Sequence, residues 1–149
     1  MIKLLIVTIF TAISSLLMAQ NNADLIVGKW MAFPDKNLIV EVYKYNNEYR
    51  GKIIWFNDSD DKTKPMNIRL DEKNANPALR KRKVLGLEVL TDMIYNPKSN
   101  RWESGKIYDA KSGKIWSSSA SITKDFTLQV RGFWHFEFIG QNMLFKKIG

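Results

Sequence analysis

Apolar and polar residues alternate along most of the chain after residue 27, in short runs that turn-forming residues separate. In one such run Phe126, Leu128 and Val130 share a face, and polar residues occupy the other. A period of two is typical of a strand with one buried face. The pattern predicts strands over residues 28–33, 38–45, 49–56, 87–95, 101–109, 114–123, 126–134 and 143–148. We therefore predict an all-β fold, a single up-and-down antiparallel β-barrel of about eight strands.

The stretch SGKIYDAKSGKIWSSS, residues 104–119, nearly repeats itself, and this repeat predicts the two arms of one hairpin. Gly113 supplies the positive φ that a four-residue loop built on a type I turn requires near its end, and Asp109 can cap the turn. Three favourable cross-strand pairs follow from this register, namely Asp109 with Lys114, Tyr108 with Ile115, and Ile107 with Trp116.

One long segment, residues 57–83, interrupts the alternation because it is polar, charged and too long for a simple hairpin loop. Asn76 followed by Pro77 is typical of a helix N-cap with proline at the first helical position. The segment is therefore predicted to carry one short helical turn over residues 78–81. We expect it to cover one end of the barrel or to flank its opening.

Residues 1–19 have the layout of a secretory signal peptide, with Lys3 before a mostly apolar run and with Ala19 at the expected cleavage site. The alternative, a membrane anchor, needs about 20 apolar residues, and this run is shorter. No later segment is long and apolar enough to span a bilayer. We expect a periplasmic or secreted protein whose mature chain, residues 20–149, forms one domain.

The amino-acid composition excludes several kinds of site and bears on the class of partner. The chain has no cysteine, which excludes a lipid-anchored lipoprotein, a cysteine nucleophile and a thiolate zinc site. Its formal net charge is +8, and a basic exported protein can meet anionic lipid, polyanionic glycan or nucleic acid. The lysines are spread along the chain, so a role in solubility is favoured. Export, and the lack of aromatic residues within the basic run 80–83, argue against nucleic acid.

The sequence offers no catalytic or metal-binding pattern. His135 is the only histidine, it lies in an aromatic strand end, and no Gly-x-Ser-x-Gly nucleophile elbow occurs. Asp58, Asp60 and Asp61 do not follow the calcium loop of an EF-hand, because its glycine is missing and Arg69 occupies the last ligand position. A solvated acidic loop is favoured over a calcium site. We expect a protein that is not an enzyme and holds no metal or cofactor.

Several motifs occur in a fixed order along the chain: GKW at 28–30, YRGKI at 49–53, NPALRKR at 76–82, LGL at 85–87, WESGKIYD at 102–109, GK at 113–114 and VRGF at 130–133. This ordered set resembles the bacterial "domain of unknown function 2147" family over nearly the whole of residues 20–149. The resemblance implies a small exported protein with a lipocalin-like, calycin-type β-barrel and no established activity. Residues 145–147 depart from the family's Trp-x-Arg ending, and the cysteines that some members carry in the polar loop are absent.

The Gly-x-Trp motif on the first strand, Gly28 to Trp30, is also similar to the lipocalin signature. Glycine permits a tight entry into the strand, and the indole plugs the closed end of the barrel beneath a cation from the last strand. In this chain Lys147 is the residue that would supply the cation. We therefore predict that Trp30 is buried next to Lys147.

The interior of the barrel is either filled by side chains or open. Ser117, Ser119 and Ser121 are small residues on one face of a predicted strand, and they would leave room for a cavity if that face points inward. Aromatic residues are plentiful enough to line such a cavity.

We predict that the protein binds a small apolar or amphipathic ligand. Tyr108, Trp116 and Arg131 are the predicted pocket residues, and Arg80 and Arg82 are predicted to lie at the rim and attract an acidic group. The alternative is a cell-envelope protein-interaction module that uses the barrel exterior and the 57–83 loop. A cavity too small for any ligand would favour that alternative.

Overall fold

The computed structural model describes residues 22–137 and 139–149, so the expected signal peptide at residues 1–19 lies outside the described residues. Strands account for most of these residues: β1 (Gly28–Phe33), β2 (Leu38–Tyr45), β3 (Glu48–Phe56), β4 (Glu88–Asn96), β5 (Arg101–Asp109), β6 (Lys114–Ile122), β7 (Thr127–Phe133) and β8 (Gly140–Lys147). Two short 3₁₀ helices span Asp24–Ile26 and Pro77–Leu79. The last strand begins at Gly140 rather than at the predicted residue 143.

The strands form one closed antiparallel barrel. Each strand pairs with the next in sequence, and β1 closes the ring by pairing with β8, from Trp30 opposite Lys147 to Phe33 opposite Leu144. Every connection therefore joins neighbouring strands, which is the up-and-down topology. The predicted fold class is confirmed.

The hairpin of β5 and β6 has the predicted register, with Ile107 opposite Trp116 and Asp109 opposite Lys114. Gly113 has a φ of +72°, and its amide donates to the carbonyl oxygen of Asp109 at 2.7 Å. The carboxylate of Asp109 accepts hydrogen bonds from the amide of Lys111 and the hydroxyl of Ser112. The turn therefore has the glycine and the hydrogen bonds that the predicted register requires.

One end of the barrel, which we call the closed end, is plugged by the first 3₁₀ helix. Ile26 in this helix is fully buried, and its carbonyl oxygen accepts a hydrogen bond from Nε1 of Trp30 at 2.9 Å. The indole of Trp102 donates in the same way to the carbonyl oxygen of Ala23 at 3.0 Å. Two buried tryptophans thus satisfy backbone carbonyls of the plug, which fixes the plug across the barrel.

The environment of Trp30 confirms the prediction made for it. Its side chain is 1% exposed, and Nζ of Lys147 lies 5.5 Å from the centre of its ring. Gly28 permits this contact, because its φ is +142° and a Cβ atom there would lie 2.7 Å from Cε of Lys147. The glycine of the Gly-x-Trp motif therefore makes room for the lysine stem.

The opposite end, which we call the open end, is formed by the connections after β1, β3, β5 and β7. The longest is the 57–83 segment, whose second 3₁₀ helix begins after Asn76 as predicted, with the Asn76 side chain accepting a hydrogen bond from the amide of Ala78 at 3.0 Å. Nothing helical within residues 22–137 and 139–149 has the length and apolar character needed to span a bilayer.

Candidate functional site

The barrel is hollow on the side of its open end, where it contains a cavity of about 850 Å³. The deep part of this cavity is apolar, and its lining includes Trp30, Val42, Leu90, Leu128, Val130 and Phe145. These side chains are buried members of the barrel core. Ligand pockets of proteins typically measure about 300–1,000 Å³ and are mostly apolar, so this cavity has the size and the character of a ligand site.

The mouth of the cavity is charged, and the 57–83 segment supplies much of it. Lys64 pairs with Glu72 at 2.8 Å, and the guanidinium of Arg69 donates to the carboxylate of Asp60 at 2.8 Å and to the carbonyl oxygens of Asp58 and Asp61. The acidic loop is thus organised around the side chain of Arg69. The expectation that this segment flanks the barrel opening is confirmed, since its residues line the cavity.

Two lysines at the mouth have a different environment. Lys73 and Lys111 line the cavity, and no carboxylate of the described residues lies within 4.0 Å of either amine. Asp35, in the β1–β2 connection, also lines the mouth without an ion pair to any described residue. Asp61 and Asp109 differ, because hydrogen bonds of their own turns engage their carboxylates. Lys73, Lys111 and Asp35 are therefore the mouth charges whose side chains form no ion pair or hydrogen bond with another described residue.

A buried carboxylate links the 57–83 segment to the barrel wall. Asp71 is fully buried and accepts hydrogen bonds from the hydroxyl of Tyr108 at 2.6 Å, from Nδ2 of Asn74 at 2.9 Å and from Nε of Arg82 at 2.9 Å. Burial by itself would raise the pKa of Asp71, but these three donors and the charge of Arg82 outweigh it and hold the pKa below its ordinary value. Burial, together with the bond to Asp71, raises the pKa of Tyr108.

The structure brings three of the predicted site residues to this region. Tyr108 lines the cavity, and the guanidinium carbon of Arg82 lies 5.6 Å from the centre of its ring. Nε of Arg80 donates to the carbonyl oxygen of Asn74 at 2.8 Å. Arg80 and Arg82 are thus engaged in holding the segment, and neither lines the cavity.

The other two predicted residues lie elsewhere. Trp116 faces Ile107 across the hairpin, but it does not line the cavity, and its ring packs edge-on against Trp134 with centroids 5.6 Å apart. Arg131 donates to the carbonyl oxygen of Glu137 and, at 2.8 Å, to the side chain of Asn142. Arg131 does not line the cavity either. Ligand contacts by these residues stay a prediction.

The small residues that face the barrel interior are not the serines proposed from the sequence. Ala120 belongs to the core and faces Val130, whereas Ser119 faces Arg131 on the other side of the sheet. Ser117 is exposed, and it shares the outer side with Ser119. Lys73 was not among the residues predicted from the sequence. The available signal was its position in the 57–83 segment, which was expected to flank the barrel opening.

Comparison with known proteins agrees with this architecture. One family model, described as "Uncharacterized protein conserved in bacteria (DUF2147)", matches residues 28–147. The chain is also similar to the solved structure of protein HP1028 from the human pathogen Helicobacter pylori, which is described as belonging to the lipocalin family. The TM-score is 0.69, the sequence identity is 20%, and the match covers 83% of each chain, which shows a shared lipocalin-like fold. No curated protein matches the chain. Because the family model spans most of its length, this chain belongs to the DUF2147 family of bacterial proteins.

Proposed function

We propose that this protein is an exported carrier, periplasmic or secreted, that binds a small apolar or amphipathic ligand inside the barrel. The observation that supports the proposal is the cavity of about 850 Å³, which is apolar at depth and charged at its mouth. Such a cavity accepts a hydrocarbon or ring system below and a polar group above. A cavity too small for any ligand would have favoured the cell-envelope interaction module. The observed volume therefore favours a ligand carrier.

The geometry of the mouth suggests how a polar head group is held. Arg80 and Arg82 are engaged with Asn74 and Asp71, whereas Lys73 and Lys111 are unpaired among the described residues and line the cavity. We therefore assign an acidic head group of the ligand to Lys73 and Lys111. No step of covalent chemistry is proposed, since carriage requires only binding and release.

Fluorescence titration with 11-(dansylamino)undecanoic acid tests carriage. We expect the dansyl emission to rise and shift to the blue, because the probe enters an apolar site. Val130→Phe, which adds a ring to the cavity, is expected to weaken binding by at least about tenfold, a cost of about 1.4 kcal/mol. Gln129→Phe is the matched control, because residue 129 lies on the same strand and on its outer side. Equal affinities of the two variants would contradict the proposal.

A second titration tests the head group. Lys73→Met combined with Lys111→Met is expected to weaken binding of the acidic probe. The affinity for dansylundecyl alcohol is expected to stay the same, because the alcohol carries no charge. Tighter binding of a cationic amphiphile such as cetyltrimethylammonium, lost in Asp35→Asn, would instead assign the head group to the carboxylate at the mouth. Native mass spectrometry of protein purified from its host then identifies any ligand that remains bound.

A further inference from the structure

Large apolar side chains are exposed around the open end of the barrel. Six of them, each between 45% and 63% exposed, belong to the rim connections or the adjoining strand ends: Phe33, Ile68, Ile115, Trp134, Phe136 and Ile139. We call this set the apolar collar. The closed end has fewer side chains this exposed, namely Tyr45, Phe126 and Ile148. An exposed apolar patch on a small protein marks an interaction surface.

The part of the collar that follows β7 is held in place by polar contacts. The carboxylate of Glu137 accepts hydrogen bonds from Arg101 and from the hydroxyl of Ser119, the latter at 3.0 Å, and the guanidinium of Arg131 donates to the carbonyl oxygen of Glu137. The hydrogen bond from Arg101 is the main cause that lowers the pKa of Glu137. These contacts fix the connection against the outer wall of β6 and β7, and Trp134, Phe136 and Ile139 do not line the cavity.

The same end of the barrel carries most of the lysines that lack an ion pair. No carboxylate of the described residues lies within 4.0 Å of the amines of Lys36, Lys62, Lys73, Lys81, Lys83, Lys111 and Lys114. All of them are exposed. Long lysine stems can lie along an apolar surface while their charges reach outward, so these lysines can place positive charge beyond the collar.

We propose that the open end of the barrel docks on an anionic lipid bilayer. Tryptophan, phenylalanine and isoleucine side chains enter the boundary between head groups and acyl chains, and lysines around them bind the negatively charged head groups. Charge complementarity favours this partner over a zwitterionic surface or a basic protein. Docking would point the cavity mouth at the bilayer. The proposal goes beyond ligand carriage and does not depend on it, because a barrel that binds no ligand has the same rim.

Co-sedimentation with vesicles tests the docking. We expect the protein to bind vesicles that contain phosphatidylglycerol and to bind pure phosphatidylcholine at least about tenfold more weakly, because the lysines need anionic head groups. Raising the salt to about 1 M, where the Debye length is about 3 Å, is expected to weaken binding to the anionic vesicles. Failure to bind either kind of vesicle at low salt would overturn the proposal.

Variants at the two ends of the barrel show which surface binds. Lys81→Glu with Lys83→Glu, and separately Ile139→Ser, are expected to weaken binding to the anionic vesicles by at least about tenfold. The matched controls lie at the closed end: Lys98→Glu with Lys124→Glu reverses two other exposed lysines, and Phe126→Ser removes a side chain that is 67% exposed. Equal losses in both sets would show that binding does not favour one end of the barrel and would contradict docking by the open end. The proposal would also be overturned if sedimentation velocity showed that the collar joins two copies of the chain and the protein did not bind vesicles.

Discussion

At the scale of single residues, the wall of the barrel holds two neighbouring serines in opposite situations. Ser118 and Ser119 are 1% and 2% exposed. The hydroxyl of Ser119, on the outer side, accepts a hydrogen bond from Arg101 and donates one to Glu137. The hydroxyl of Ser118 has no hydrogen-bond partner among the described residues. A buried hydroxyl without a partner costs free energy, because folding removes its hydrogen bonds to water.

The two serines therefore provide a matched pair of variants. Ser118→Ala is expected to raise the free energy of unfolding by about 1 kcal/mol, because it removes an unsatisfied polar group. Ser119→Ala is expected to lower it by about 1–3 kcal/mol, because it leaves Arg101 and Glu137 with fewer partners. Urea denaturation followed by tryptophan fluorescence measures both changes. A loss of stability in Ser118→Ala as large as that in Ser119→Ala would contradict this account.

Asp71 is a buried residue that should make stability depend on acid pH. Its pKa is lowered in the folded protein, so its contribution is complete above the ordinary aspartate pKa of about 3.9 and is lost as the pH falls from there through the folded-state pKa. Asp71→Asn is expected to destabilise the protein by about 1.5–3 kcal/mol at neutral pH, because hydrogen bonds to a charged group are lost.

The difference between wild type and Asp71→Asn should shrink when urea denaturation is repeated below about pH 3.9. Glu72→Gln is the control, because this neighbouring carboxylate is exposed and forms a surface pair with Lys64. If the difference in free energy of unfolding between wild type and Asp71→Asn stayed constant from pH 7 to below about pH 3.9, the charge of Asp71 would not contribute to stability.

At the scale of elements, the β5–β6 hairpin and the 57–83 segment support each other at the open end. A Cβ atom on Gly113, in the hairpin tip, would lie 1.9 Å from the carbonyl oxygen of Lys73. Tyr108, near the end of β5, bonds to Asp71 in the segment. The segment thus bonds to β5 and lies close against the hairpin tip, and these contacts give a long polar connection a defined position at the cavity mouth.

Two glycine substitutions distinguish the effect of the contact between Gly113 and Lys73 from the effect of backbone strain. Gly113 and Gly86 have φ angles of +72° and +85°, but a Cβ atom on Gly86 would meet no atom within 4 Å. Both Gly→Ala variants should lose about 1–3 kcal/mol of stability from the strained backbone. Gly113→Ala should lose more, because the added methyl group collides with Lys73.

The measurement is thermal unfolding of the two variants, with hydrogen exchange of the 57–83 amides. Faster exchange in this segment is expected for Gly113→Ala and not for Gly86→Ala. Equal stability and equal exchange in the two variants would show that the hairpin tip and the segment are not mechanically linked.

At the scale of the whole molecule, the two ends of the barrel differ in what fills them. The closed end is plugged by the first 3₁₀ helix and two tryptophans, whereas the open end leads into the cavity. A ring of strands without a free edge keeps its shape when part of its interior is empty, since the backbone hydrogen bonds run around the wall. The buried plug and the cavity mouth therefore occupy different ends of one molecule.

A ligand in the cavity should therefore stabilise the entire barrel. At a probe concentration of 100 times Kd, 11-(dansylamino)undecanoic acid is expected to add about 2.7 kcal/mol to the free energy of unfolding and to raise Tm by several degrees. Differential scanning calorimetry measures the shift. Val130→Phe should show a smaller shift at the same probe concentration, and a shift of equal size in that variant would place the probe outside the cavity.

Features that depend on neighbouring residues could be predicted from the sequence. The strands, the register of the β5–β6 hairpin and the cap at Asn76 follow from alternation and turn chemistry, which act over a few positions. The Trp30–Lys147 contact joins residues far apart in the sequence. It was predicted because the Gly-x-Trp motif resembles the lipocalin signature. The family and the fold class were also predicted and confirmed.

Which side of each strand faces the interior, and whether that interior is filled, could not be predicted in this way, because both depend on how the strands pair and close. A register shift between Trp102 and Gly105 changes the alternation of β5, so the face that β6 turns inward depends on its pairing and not on its own sequence. The cavity volume depends on side chains from strands on opposite sides of the barrel. The availability of Lys73, and the engagement of Arg82 by Asp71, depend likewise on which groups meet in space.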